Sequence, residues 1–414
     1  MKIEKYTLGT GDRFARQGRA QLQAILKARD AGIDIHPVWN KSNREHLIIR
    51  SNPDEVRAEA DAAVAALGFR GAYYVDADHI GLKTVDAFIP ASDFFTLDVA
   101  DFTGKAVEAD AVEAFLKTVR RYTGSLSIPG IDRPFDISEK TVRETAGKFL
   151  LAVQEAGRIY RHIEQRKGRE NFVTEVSVDE TDAPQSPVEL FLILAMIAEE
   201  GIPVQTIAPK FTGRFNKGVD YVGDLAQFEK EFDEDLSVID FAIREFDLSD
   251  PLKLSVHSGS DKFSIYPVIN RLIKNHRAGL HVKTAGTTWL EEVIGLAESG
   301  GEGLALVKEV YAQAHDHIAE LAAPYRTVID IDPAKLPDPK SVMRWSSTEY
   351  TEALRHVESS SHYNPNFRQL LHVSFKIAAG MGKRFTAALE ANDQIVGRNV
   401  TENLFYRHLQ PIFA

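Results

Sequence analysis

The chain has 414 residues, 44% of them hydrophobic and 26% charged, with a formal net charge of −11 and no cysteine. Its length exceeds what a single core usually fills, its acidity argues against nucleic acid or an anionic membrane as main partner, and the missing thiols exclude disulfides, thiolate metal sites and cysteine nucleophiles. Any metal must therefore be held by His, Asp, Glu or backbone oxygen, and a small molecule is the expected partner.

The opening segment "MKIEKYTLGTGDRFARQGRA" has no apolar leader-like run, and no later stretch approaches the ~20 apolar residues of a membrane span, so a cytoplasmic protein is expected. Within it "GTGDRFARQG" reads as a connector, with Arg13 and Arg16 in reach of an anionic ligand. An amphipathic helix in "RAQLQAILKARDAG" stops at Gly32 and passes into a strand in "GIDIHPVWN". "DEVRAEADAAVAALGF" has apolar residues at helical spacing and precedes two β-rich runs, "GAYYVDADHI" and "FFTLDV". Ile137 to Lys167 is a long charged helix with basic residues at its C-terminus. Then come strand "NFVTEVSVDET", helix "SPVELFLILAMIAEEG" capped by Ser186 with Pro187 at its first position, and strand "PVQTIAPKF". "LKLSVHSGS" and "LHVKTAG" are two further strands flanking a helix in "YPVINRLIKNHRAG", and from about Asp330 a Pro-rich connector leads into helical patterns.

Strands alternating with helices imply a parallel sheet with helices outside and all strand C-termini on one face. The expected fold is α/β, a (β/α)8 TIM-type barrel over residues 1–330, with an additional C-terminal helical region at residues 331–414 packed on it. Neither GxGxxG after the first strand nor GxxxxGK[ST] occurs, so dinucleotide and P-loop readings have no support.

In such a barrel the chemistry sits at the C-terminal strand ends. Those ends carry Asp78 and His79, Glu175 and Asp179, Lys210 with Arg214, His257, and His281 with Lys283. His79, His257, His281 and Glu175 are the donors of an imidazole and carboxylate metal site with one position open, which suits zinc first and manganese, cobalt or nickel after it. "SVHSGSDKFS" gives a turn whose Ser258, Ser260 and Lys262 suit an anion. Lys210, Arg214 and Lys217 in "APKFTGRFNKGVDYVGD" form a local positive cluster in an acidic chain, as an anionic substrate such as a sugar acid would require. Lys283, Thr287 and Trp289 in "HVKTAGTTWLEE" can face a polyol or begin a helix. His36, His162 and His276 read as structural or solvated, and His372 as core.

"YVDADHI", "TEVSVDETDAPQSPVELF", "APKFTGRFNKGVDYVGD", "SVHSGSDKFSIYP" and "HVKTAGTTWLEE" together resemble the bacterial tagaturonate epimerase family. The resemblance implies a metal-dependent cytoplasmic enzyme of hexuronate catabolism that interconverts D-tagaturonate and D-fructuronate. A second resemblance is to class II aldolases of the barrel type, whose Asp-His pair, later Glu and two later His occur in the order Asp78-His79, Glu175, His257 and His281. Those aldolases place a Gly-Gly-Ser phosphate loop after the last metal histidine, whereas here "HSGS" follows at His257, as a changed anion site for a carboxylate would require.

The inverted carbon of these uronates lies beta to the ketone, where its hydrogen is not acidic, so cleavage of the neighbouring carbon–carbon bond is the expected route. The resemblance then implies that His79, His257 and His281 hold the ion, that Glu175 is a fourth ligand or a base behind the ligands, and that Asp78 moves the hydroxyl proton, with Asp76 orienting a neighbour. Two alternatives stand beside this reading: a class II-type aldolase or another ketose or sugar-acid epimerase or isomerase, and a non-catalytic sugar-acid-binding protein. The sequence leaves the oligomeric state open.

Overall fold

A computed structural model describes every residue of the chain except 180, 259 and 285. Eight parallel strands close into a barrel in chain order: β1 (Tyr6–Gly11), β2 (His36–Ser42), β3 (Tyr74–Ile80), β4 (Phe94–Asp98), β5 (Val173–Ser177), β6 (Thr206–Ala208), β7 (Lys253–His257) and β8 (Leu280–Lys283). Strand alternation sorts the side chains. Leu254, Val256, Leu280 and Val282 turn outward into the core shared with the helices, which leaves Lys253, Ser255, His257, His281 and Lys283 facing the barrel axis. Seven of the strands fall in segments that read as strands from sequence. The other, β1, lies where the sequence reading ran into the "GTGDRFARQG" connector.

The interior is layered. Ile3, Val38, Tyr74, Phe94 and Val173 plug the lower end with apolar side chains. Above them the register sets Thr96 beside Glu175 and Glu175 beside Thr206, and above those come Asp78, His257 and Lys283. Low in the same interior, Lys253 donates to Glu4 O at 2.5 Å and to Thr7 Oγ1 at 3.0 Å, and burial lowers its pKa to about 7. The unfolded chain therefore binds more protons than the fold between about pH 7 and the ordinary lysine value, and the lysine's contribution to stability rises with pH there by up to about 1.4 kcal/mol per unit. Urea unfolding of the protein and of Lys253→Met at pH 7.5 and 9 should show that increment in the first and its loss in the second.

The helix Glu139–Lys167 starts at the Ser138 cap, and Pro187–Glu199 is closed by a Ser186 and Glu189 capping box. A second core, from Trp289 to Val396, belongs to the helices that follow β8, so it starts well before residue 331. From Val400 onward the chain rejoins the barrel's own core. Thr401 Oγ1 donates to Ala20 O at 2.9 Å, Asn270 Nδ2 to Ile412 O at 2.9 Å, and the Phe413 ring lies 5.2 Å from that of Tyr6. The last residues thus sit between the helix after β1 (Gly18–Asp30) and the helix after β7 (Tyr266–His276). Among the described residues no helix is long and apolar enough to cross a membrane.

Candidate metal centre and active site

At the upper end of the barrel, His79, Asp179 and His257 present ligand atoms within 4.8 Å of one another. They come from the ends of β3, β5 and β7. His79 has φ +51°, a left-handed conformation that a non-glycine residue adopts only under constraint, and the β3–β4 register shifts between Ala77 and Ile80. This break in the strand accompanies the placing of Asp78 and His79, neighbours in sequence, at one site.

Each histidine has one ring nitrogen on a carboxylate behind it and the other turned to Asp179. His79 Nδ1 donates to Asp78 Oδ1 at 2.6 Å, while its Nε2 lies 3.6 Å from Asp179 Oδ1 without a hydrogen bond. His257 Nε2 donates to Glu175 Oε1 at 2.9 Å, while its Nδ1 lies 3.0 Å from Asp179 Oδ2. Ser177 fixes Asp179 through a hydroxyl hydrogen bond. Carboxylates behind imidazoles are the arrangement that orients metal-ligating histidines and raises their basicity.

Below this group lies a buried cation among three acids. Lys283 Nζ is 2.7 Å from Asp76 Oδ2, 2.9 Å from Asp78 Oδ1 and 3.2 Å from Glu175 Oε1, and also donates to Thr96. Glu175 is fully buried and accepts from Thr206 at 2.7 Å and Thr96 at 3.1 Å. Burial alone would raise the Glu175 carboxyl, but Lys283 and His257 hold it well below the ordinary range. Asp78 is likewise held low, against burial, by Lys283 and His79. Asp76 differs: burial, with Asp78 and Glu175 beside it, outweighs Lys283 and lifts it to about 6. Burial works against protonated imidazoles, yet the carboxylates raise His257 to about 9 and His79 well above its usual value.

His281, expected as the third histidine ligand, stands lower. The register pairs His281 with Ser255 and Lys283 with His257, so on β8 it is Lys283 that reaches the layer of His257. His281 Nδ1 shares a 2.8 Å hydrogen bond with Thr7 Oγ1, its ring lies 5.3 Å from Phe94, and burial lowers its pKa to about 3. Asp179 takes the place beside the other two histidines. The sequence put Asp179 among the strand-end polar residues without giving it a role.

The residues expected to bind substrate separate in the structure. Trp289 packs in the second core, with Nε1 donating to Leu371 O at 2.7 Å. Arg214 is half exposed and pairs with Asp330 at 3.1 Å, and Lys210 donates to the backbone of Thr181. Lys262 is buried and spends its ammonium on three carbonyls, Asn216 and Val219 at 2.8 Å and Asp261 at 3.0 Å. Ser258 Oγ donates to backbone carbonyls and Ser260 Oγ accepts from Gly218 N at 2.7 Å, while Gly259 of the "HSGS" turn lies outside the described residues. This turn is a joint. Asp261, fully buried, accepts from Arg368 Nη2 at 2.7 Å and His356 Nδ1 at 2.9 Å, and Arg368 Nε also donates to Gly218 O at 2.6 Å. The second helical core is thereby fastened to the loops that follow β6 and β7.

The family model for UxaE, tagaturonate epimerase, matches residues 1–405. A curated relative, the tagaturonate/fructuronate epimerase of Thermotoga maritima, is 30% identical over 417 residues, covering 96% of this chain and 79% of the relative. The native crystal structure of fructuronate-tagaturonate epimerase UxaE from Cohnella laeviribosi superposes with a TM-score of 0.81 at 25% identity, over 100% of this chain and 82% of that one. Its complex with one glycerol gives 0.82 at 24% identity with the same coverage.

Proposed function

The chain belongs to the tagaturonate epimerase family, and from that premise we propose that it interconverts D-tagaturonate and D-fructuronate by retro-aldol cleavage and re-addition, at a divalent metal held by His79, Asp179 and His257. The observation that carries the reading is that both histidines have a carboxylate behind one nitrogen and turn the other to a shared acid. Two imidazoles and a carboxylate are a donor set suited to zinc, with room for further ligands from substrate or water. A bound ion supplies a Lewis acid for the negative charge that develops on the ketone oxygen.

The chain's own residues account for the proton. Both contacts of Asp78 fall on Oδ1, from His79 and Lys283, which leaves Oδ2 for the substrate hydroxyl on the inverted carbon. A carboxylate held as low as Asp78 is a weak base, and Asp76, at about 6 on the far side of Lys283, gives the network its basicity. Removing the hydroxyl proton turns that carbon into an aldehyde as its bond to the neighbouring carbon breaks, and the electron pair passes to the ketone side as an enediolate. The aldehyde turns, the bond re-forms on its other face and the proton returns, so no oxidant is consumed. Lys283 and Glu175 hold the carboxylates and His257 in place throughout.

Cleavage leaves the carbon-bound hydrogen where it was. In D₂O the product should carry no deuterium at the inverted carbon by proton NMR, and Asp78→Asn should retain its metal while losing ~10²–10⁴ of kcat. Deuterium at that carbon would replace the retro-aldol route with deprotonation. Accumulation of cleaved fragments as the main product would favour an aldolase.

A further inference from the structure

We propose that Arg13 and Asn40, on the β1–β2 side of the mouth, receive the carboxylate of the sugar acid; this rests on the epimerase reading above. β1 lies four strands from β5 in the eight-strand ring, so this side of the mouth faces the strand end that carries Asp179. In the retro-aldol scheme the carboxylate belongs to the aldehyde fragment, which must turn over without leaving, so a charged anchor away from the metal ligands is required.

The other cations near the mouth are already engaged. Lys283 is enclosed by three carboxylates, Lys262 by three carbonyls, Arg368 by Asp261 and two carbonyls, and Arg214 pairs with Asp330. Arg13 is placed differently. Its guanidinium lies 4.8 Å above the Phe375 ring, Glu45 holds one of its ends, and its buried Nε has no hydrogen bond. Asn40 faces the barrel axis next to Asp76 in register, is 3% exposed, and neither its amide oxygen nor its amide nitrogen has a partner. A buried amide without hydrogen bonds is costly, and a ligand carboxylate and hydroxyl would satisfy it.

The space between the two is left by glycine. β1 turns Gly9 and Gly11 inward, and a Cβ at Gly11 would meet Asn40 Oδ1 at 3.3 Å and Arg13 Nη1 at 3.8 Å. The surroundings are electropositive: His372, which touches Gly218 from the helical layer, is kept neutral by burial and by Lys217, Arg13, Arg368 and Lys262. A carboxylate entering here meets a net positive field that Glu45 only partly offsets.

The test is steady-state kinetics with D-tagaturonate together with metal analysis. Arg13→Gln should raise KM at least ~10-fold while kcat and metal content hold, because an anchor used equally in ground and transition states acts on binding. Arg13→Lys should recover part of the loss. Gly11→Ala, which fills the gap and leaves the charge in place, should raise KM in the same direction, and it decides the matter if Arg13→Gln does not fold. Unchanged KM in Arg13→Gln, or a rise found in Arg214→Gln instead, would overturn the assignment. Failure of the unmodified enzyme to form D-fructuronate would sink the epimerase reading itself, a distinct result.

Discussion

His79→Ala and His257→Ala should each lose stoichiometric divalent metal and at least ~10³ of kcat/KM, a loss of about 4 kcal/mol of transition-state stabilisation, whereas His281→Ala should keep its metal. The contrast follows from the register: His79 and His257 present nitrogens to Asp179, while His281 lies a layer lower against Thr7 and Phe94. Asp179→Asn should weaken metal retention as well, because it removes the charge between the two imidazoles. Elemental analysis of each purified variant, alongside the rate of tagaturonate conversion, measures both quantities. Full metal in His257→Ala, or loss of metal confined to His281→Ala, would return the site to the three-histidine arrangement expected from sequence.

Lys283→Met should cost ~3–5 kcal/mol of stability at pH 7.5, since it leaves Asp76, Asp78 and Glu175 buried together without their cation. The sign of the pH dependence is fixed by the same geometry. Without the ammonium all three carboxyls move up, the fold binds more protons than the unfolded chain, and the variant should regain stability as pH falls from 7.5 towards 5.5. Urea midpoints at the two pH values test this. A variant as stable as the parent at pH 7.5 would show that the acids already share protons when Lys283 is present.

Much of this architecture is written in local patterns. Alternation in "LKLSVH" and "LHVK" gave strands because Leu254, Val256, Leu280 and Val282 repeat every second residue, and Ser186 with Glu189 marked a helix start. β1 escaped because "YTLGTG" is a strand whose inward positions include glycines, and glycine usually signals a turn. Asp78, His79, Glu175 and His257 were legible as strand-end residues. The error at His281 came from counting histidines without counting register: two residues apart on one strand face, His281 and Lys283 cannot occupy the same layer, and only the pairing with β7 says which is uppermost. Trp289 and Arg214 were misplaced for a related reason, since the covering of the mouth by helices distant in sequence has no local signature.

The return of residues 400–413 to the barrel bears on the order in which the molecule can assemble. A helix that packs between the first and seventh barrel helices is synthesised last, after the whole layer from Trp289 to Val396. Until it emerges, the outer faces of Gly18–Asp30 and Tyr266–His276 stay uncovered on the nascent chain, and contacts such as Tyr6 with Phe413 join almost the full length of the polypeptide. Barrel closure is therefore a late, post-synthetic event, and the exposed seam between those two helices is where a chaperone would be needed or a domain swap would begin.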